Sequence, residues 1–116
     1  VLSFPKPNST MPTLLNYGQM KLLFHEFGHV LHNICSETEL IVFSGTQVDK
    51  DFMEAPSQIL EHWLLEPNVL KNISSHYQSK TQLTDDIVRS IVDAETFDLG
   101  YKTMRQVTFD MFDFTL

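Results

Sequence analysis

Cysteine is almost absent: Cys35 stands alone among 116 residues, which excludes an internal disulfide and fits a reducing compartment, the cytosol first and the mitochondrion as the alternative. Near the end of a helical pattern, Cys35 itself reads as a small buried hydrophobe. Cations are scarce as well. Eight Lys and Arg stand against fifteen Asp and Glu, a formal net charge of -7, and they form no cluster. Phosphate backbones are bound by clustered cations, so a nucleic-acid partner is excluded. No apolar run comes near the ~20 residues of a membrane-crossing helix, so no membrane partner is expected, and no charged-then-apolar leader pattern opens the chain. Repeats, low-complexity tracts and linkers are missing too, and residues 1–116 are read as one structural unit. In a cytosolic chain the glycosylation patterns Asn8-Ser9-Thr10 and Asn72-Ile73-Ser74 are coincidences.

What the chain does contain is His25-Glu26-Phe27-Gly28-His29. At about 100° per residue, a helix places the second histidine roughly 40° round from the first and one turn along, so both imidazoles reach a single ion. Glu26 falls on the shoulder of the same face, too far round to share the ion and well placed to take a proton from a metal-activated water. Met20, Phe24, Phe27, Leu31 and Ile34 form one apolar stripe at helical spacing, expected to be the core face. His25, His29 and His32 lie on the opposite side and are therefore not core histidines.

A catalytic zinc site with three protein donors needs one more, and a set of two histidines and a glutamate leaves the fourth position open. The segment Asp51-Phe52-Met53-Glu54-Ala55-Pro56-Ser57-Gln58-Ile59-Leu60-Glu61-His62-Trp63 offers it. On a helix Glu54, Gln58 and Glu61 share one face, while Phe52, Ile59 and Trp63 point the other way, into packing. Acidic residues on one side of so apolar a helix suggest burial against a positive charge, and one zinc ion per chain is the economical choice. Glu54 is the best third ligand. Glu61 is expected to orient one of the two histidines from behind.

These segments, together with Ser44-Gly45-Thr46 and in this order and spacing, resemble the thimet oligopeptidase family of zinc metallopeptidases, within it the branch of thimet oligopeptidase and neurolysin. The likeness runs along essentially the whole chain, His76-Tyr77 included, yet covers a small part of a family enzyme. Met53 stands where a valine is common, a swap of one apolar residue for another. The resemblance implies that His25, His29 and Glu54 bind the zinc, that Glu26 activates the water, and that the substrates are short peptides. It also implies that the histidine and tyrosines which hold substrate lie outside these residues, so that the piece alone is a weak enzyme or none. The alternatives are another gluzincin peptidase, a zinc-stabilised structural module, or a catalytically incomplete fragment that only binds partners; Glu26 separates an enzyme from the structural module, because a structural site has no use for it.

The expected fold is mainly α: a zincin-type helical segment with an active-site helix, a third-ligand helix and a short N-terminal strand at Val1-Leu2-Ser3-Phe4, part of a larger mostly helical peptidase. Pro5, Pro7 and Pro12 keep residues 5–13 extended or turned, so the first helix starts near Asn16 or Tyr17 and runs to about Cys35. Leu40-Ile41-Val42-Phe43 reads as strand or buried loop, with a turn at Ser44-Gly45. Pro56 kinks the Glu54 helix or marks its first turn, and that helix ends before Pro67. A short helix follows over residues 68–74, then one capped by Thr84, with Gly100 separating it from the last. The apolar tail with Phe109, Met111, Phe112 and Phe114 wants a partner surface, which the rest of a parent chain would supply; alone it should self-associate.

Overall fold

The computed structural model describes residues 2–115, and among these it holds helices and no strand. The element order is α1 (Tyr17–Ile34), a 3₁₀ turn (Ile41–Phe43), α2 (Lys50–Met53), α3 (Ala55–Glu61), a second 3₁₀ turn (His62–Leu65), α4 (Pro67–Ile73), α5 (Asp85–Thr96) and α6 (Leu99–Asp113). Helix α1 starts where the prolines stop. Asn16 and Gln19 cap it reciprocally: the Gln19 N–H donates to Asn16 Oδ1 at 2.9 Å, and the Asn16 N–H to Gln19 Oε1 at 3.1 Å. It closes at Cys35, whose N–H donates to the Leu31 carbonyl at 2.9 Å. Cys35 is exposed rather than buried: it is the C-cap of α1, next to the exposed Asn33 and Ile34.

The expected N-terminal strand is not formed. Residues 2–4 are irregular, Val1 lies outside the described residues, and no described segment is extended to pair with them, while Pro5 and Pro7 withhold backbone donors. Ile41, Val42 and Phe43 form neither strand nor buried loop but an exposed 3₁₀ turn. Gly45 follows at φ +57, and its N–H donates to Ser36 Oγ at 2.9 Å. Only glycine fits: a Cβ here would meet Asn33 at 2.2 Å. Thr84 does precede α5, with extended dihedrals but no hydrogen bond from its hydroxyl. The break between α5 and α6 falls at Asp98, left-handed at φ 57, a conformation that Asp tolerates; Gly100 is inside α6.

Helix α1 packs chiefly on α3, and the contact is made by small residues. A Cβ added at Gly28 would lie 2.5 Å from Ser57 Cα and 2.9 Å from the Pro56 carbonyl oxygen, so the two backbones touch as only glycine permits. That close approach decides where the large side chains go. Met20 and Phe24 reach the buried Leu64, Leu70 and Val88, together with Tyr17, Leu83, Ile91 and Val92. Further along the stripe Phe27 and Ile34 are exposed, as are Phe52, Ile59 and Trp63, against the expectation that they pack inward. Periodicity had identified an apolar face without saying what covers it. Phe24, Phe27, Leu60, Trp63, Val69 and Ile73 instead line an open apolar groove between α1, α3 and α4. Helix α6 buries none of its residues.

Candidate metal centre

Three donors meet where α1 passes α3. His25 and His29, one turn apart on α1, hold their rings 5.0 Å apart and nearly perpendicular, at 85°. Glu54 sits in the turn between α2 and α3, at φ -86 and ψ -9, and Pro56 is in the first turn of α3, where its missing N–H costs nothing. From there Glu54 Oε2 lies 3.1 Å from His25 Nε2 and 3.3 Å from His29 Nε2. One donor atom from each of the three residues falls within 4.8 Å of the others.

Those spacings suit a zinc ion. Bonds of about 2.0–2.1 Å in a tetrahedron place neighbouring donors roughly 3.3 Å apart. The donor set also has the right chemistry: two imidazoles with Nε2 turned inward and one carboxylate, all partly accessible. Among the described residues no other group of His, Cys, Asp and Glu converges in this way.

Behind the donors stands Glu61, with Oε1 2.6 Å from His25 Nδ1. The geometry fixes the tautomer: a carboxylate accepts from Nδ1–H and leaves Nε2 free as a donor atom toward a metal. Glu61 Oε2 lies 3.6 Å from Lys21 Nζ, which in turn donates to Glu95 Oε2 at 3.2 Å, so the pair of carboxylates from α3 and α5 is tied to α1 through one ammonium. Tyr17, beside them, has its phenol pushed above the ordinary value by burial first and then by the charges of Glu95 and Glu61. Gln58, expected on the same face, is exposed and takes no part. His29 Nδ1 and His32 Nδ1 are buried without a partner among the described residues. His32 stacks edge-on against Phe52, with ring centroids 6.1 Å apart. Glu26 is half-buried, and among the described residues its carboxylate forms no hydrogen bond or ion pair.

Sequence reasoning missed Ser57, Lys21 and Glu95. Ser57 follows Glu54 by one helical turn, a spacing at which a hydroxyl reaches back, and that signal was there to read. Lys21 and Glu95 are 74 positions apart, and nothing local joins them. Glu61→Gln is expected to weaken zinc binding by about 10- to 100-fold, because an amide can present its NH₂ to Nδ1 and reverse the tautomer. Competition with a chelating dye measures this; unchanged affinity would make Glu61 a partner of Lys21 only.

The profile described as Peptidase family M3 matches residues 1–116. The chain is 38% identical to the thimet-like oligopeptidase of Dictyostelium discoideum over 96% of its own length and 17% of that protein's. Dipeptidyl carboxypeptidase of Escherichia coli is 38% identical, covering 88% of this chain and 15% of the relative. Saccharolysin of Saccharomyces cerevisiae is 34% identical over 97% of this chain and 16% of the relative. The chain thus spans about one sixth of the length of the curated relatives it matches.

Proposed function

The chain belongs to peptidase family M3, and from that premise we propose that it carries the zinc centre of a metalloendopeptidase that hydrolyses short peptides, with Glu26 as general base. The observation that carries the reading is the convergence of Glu54 Oε2 on the Nε2 atoms of His25 and His29 at 3.1 and 3.3 Å. These three residues would hold the metal. When bound, zinc supplies a Lewis acid and lowers the pKa of water towards neutrality. The chain's own residues do the rest. His25 and His29 offer neutral nitrogens, and Glu61 keeps the proton of His25 on the far side of the ring. Glu26 accepts the proton of the attacking water and returns it to the leaving amine. A zinc-stabilised structural module would have no use for Glu26.

Its substrates are read as short peptides, from the names of the relatives as oligopeptidases and from the family resemblance. The open apolar groove and the exposed apolar residues of α6 are the surfaces that further segments of a parent peptidase would cover. A lone, exposed Cys35 suits a reducing compartment, and the cytosol is the placement we favour.

The test compares this chain with a longer family peptidase containing it, at equal zinc occupancy, on a short fluorogenic peptide. Removal of zinc by a chelator should abolish turnover in the longer protein, and added zinc should restore it. The chain alone should bind the ion yet turn over at least about 10²-fold more slowly, the scale on which missing oxyanion donors act. Turnover that survives metal removal overturns the zinc mechanism; equal turnover in both proteins makes these residues a sufficient enzyme.

A further inference from the structure

Glu54 is the one donor of the centre that lies outside a continuous helix. Its side chain is 39% exposed, so little packing restricts its rotamer. A glutamate side chain so placed loses considerable rotamer freedom when it is held to one geometry, and something must hold it. Ser57 is in position to do so. It is fully buried, the one buried polar residue among those described. Its Oγ lies 2.8 Å from the Glu54 carbonyl oxygen and 2.9 Å from Glu54 Oε2. That Oε2 is the same atom that faces both imidazoles. Gly28 presses on Ser57 from the α1 side, leaving room for nothing larger at position 28.

We propose that Ser57 is a positioning residue for the metal centre: its hydroxyl hydrogen, shared between the backbone carbonyl and the carboxylate of Glu54, selects the rotamer that aims Oε2 at His25 and His29. A helical serine ordinarily donates to a carbonyl one turn back and stops there. Here the second acceptor is the candidate ligand itself. The contact of Gly28 with Ser57 makes this a gauge between the two helices. Gly28 directly precedes His29, and Ser57 lies one turn after Glu54, so the point where the backbones touch is adjacent to donors on both sides. The proposal rests on the reading of Glu54 as a metal ligand.

Ser57→Ala removes only the hydroxyl and leaves untouched the backbone of residue 57 that lies against Gly28. In the full chain its Zn²⁺ affinity, measured by competition with a chelating dye, should fall about 10- to 100-fold, the range typical of groups that orient metal ligands. The melting temperature of the metal-free chain should stay close to wild type, and the visible d–d bands of bound Co²⁺ should change in intensity. Ser57→Cys, which retains a weaker donor, should fall between the two. Zinc affinity within about twofold of wild type in Ser57→Ala, with an unchanged Co²⁺ spectrum, overturns the proposal on that same scale. A loss of affinity matched by a large drop in metal-free melting temperature also overturns it, because a packing role would explain both. Should Ser57→Ala fail to fold, Ser57→Cys decides by the same criteria. Glu54→Gln is the control. If it binds Zn²⁺ as wild type does, Glu54 is no ligand and the reading of the centre falls, the proposal with it; if it binds weakly while Ser57→Ala binds normally, only the part given to Ser57 falls.

Discussion

Glu26→Gln in a complete family peptidase carrying this segment is expected to leave zinc in place and to lower peptide hydrolysis by about 10² to 10⁴-fold, the range a positioned general base contributes. The amide has the shape of the carboxylate but no basic oxygen to take the proton of the attacking water. Among the described residues the Glu26 carboxylate makes no hydrogen bond or ion pair, so the substitution breaks no side-chain tie, and melting temperature and metal content should match wild type. The measurement is kcat for a short peptide, beside zinc content on the same sample. Turnover above about a tenth of wild type would move the general base to another residue. A loss of zinc would mean instead that Glu26 acts on the metal.

Removing Glu54 should have the largest effect on metal content. Two imidazoles on one helical turn are a weak site by themselves, and the third donor closes the set on which a catalytic zinc depends. Glu54→Ala should therefore lose stoichiometric zinc on dialysis against a zinc buffer, with affinity falling by more than the roughly 100-fold seen for groups that merely orient ligands. Glu54 Oε2 lies 3.1 and 3.3 Å from the two Nε2 atoms, and among the described residues no other carboxylate converges with both imidazoles. Full retention of zinc in this variant would remove Glu54 from the ligand set. The two variants separate the roles: one keeps metal and loses turnover, the other loses metal first.

Much of the centre can be read in the sequence because it is local. The spacing of His25 and His29 on one turn follows from helix geometry alone. So does the start of α1 after Pro12, set by a missing N–H and a fixed φ, whereas Pro56, open between a kink and a first turn, lies in the first turn of α3. The likeness to a zinc peptidase family rests on the same short segments, and the match to Peptidase family M3 along residues 1–116 agrees with it.

Other features depend on contacts between residues far apart in the chain. Periodicity placed Phe27, Ile34, Ile59 and Trp63 on apolar faces, yet all four are exposed, because a face is a local property and its cover is not. Which histidine Glu61 would meet was open until α3 was seen to lie with Glu61 against His25 Nδ1. The tie from Lys21 to Glu95 joins α1 to α5 across 74 positions, and no pattern of spacing announces it.

The sequence by itself determined which candidate groups come together: two imidazoles, a glutamate beside them and a further carboxylate within reach, at spacings that a helix and a turn convert into directions. Only the tertiary structure decided the distances. Gly28 and Ser57 let the backbones of α1 and α3 touch, and this contact, rather than any apolar periodicity, sets how far Glu54 stands from His25 and His29. The physical reason is range: backbone geometry propagates direction along one helix, whereas the separation of two helices is settled by the size of the residues where they meet.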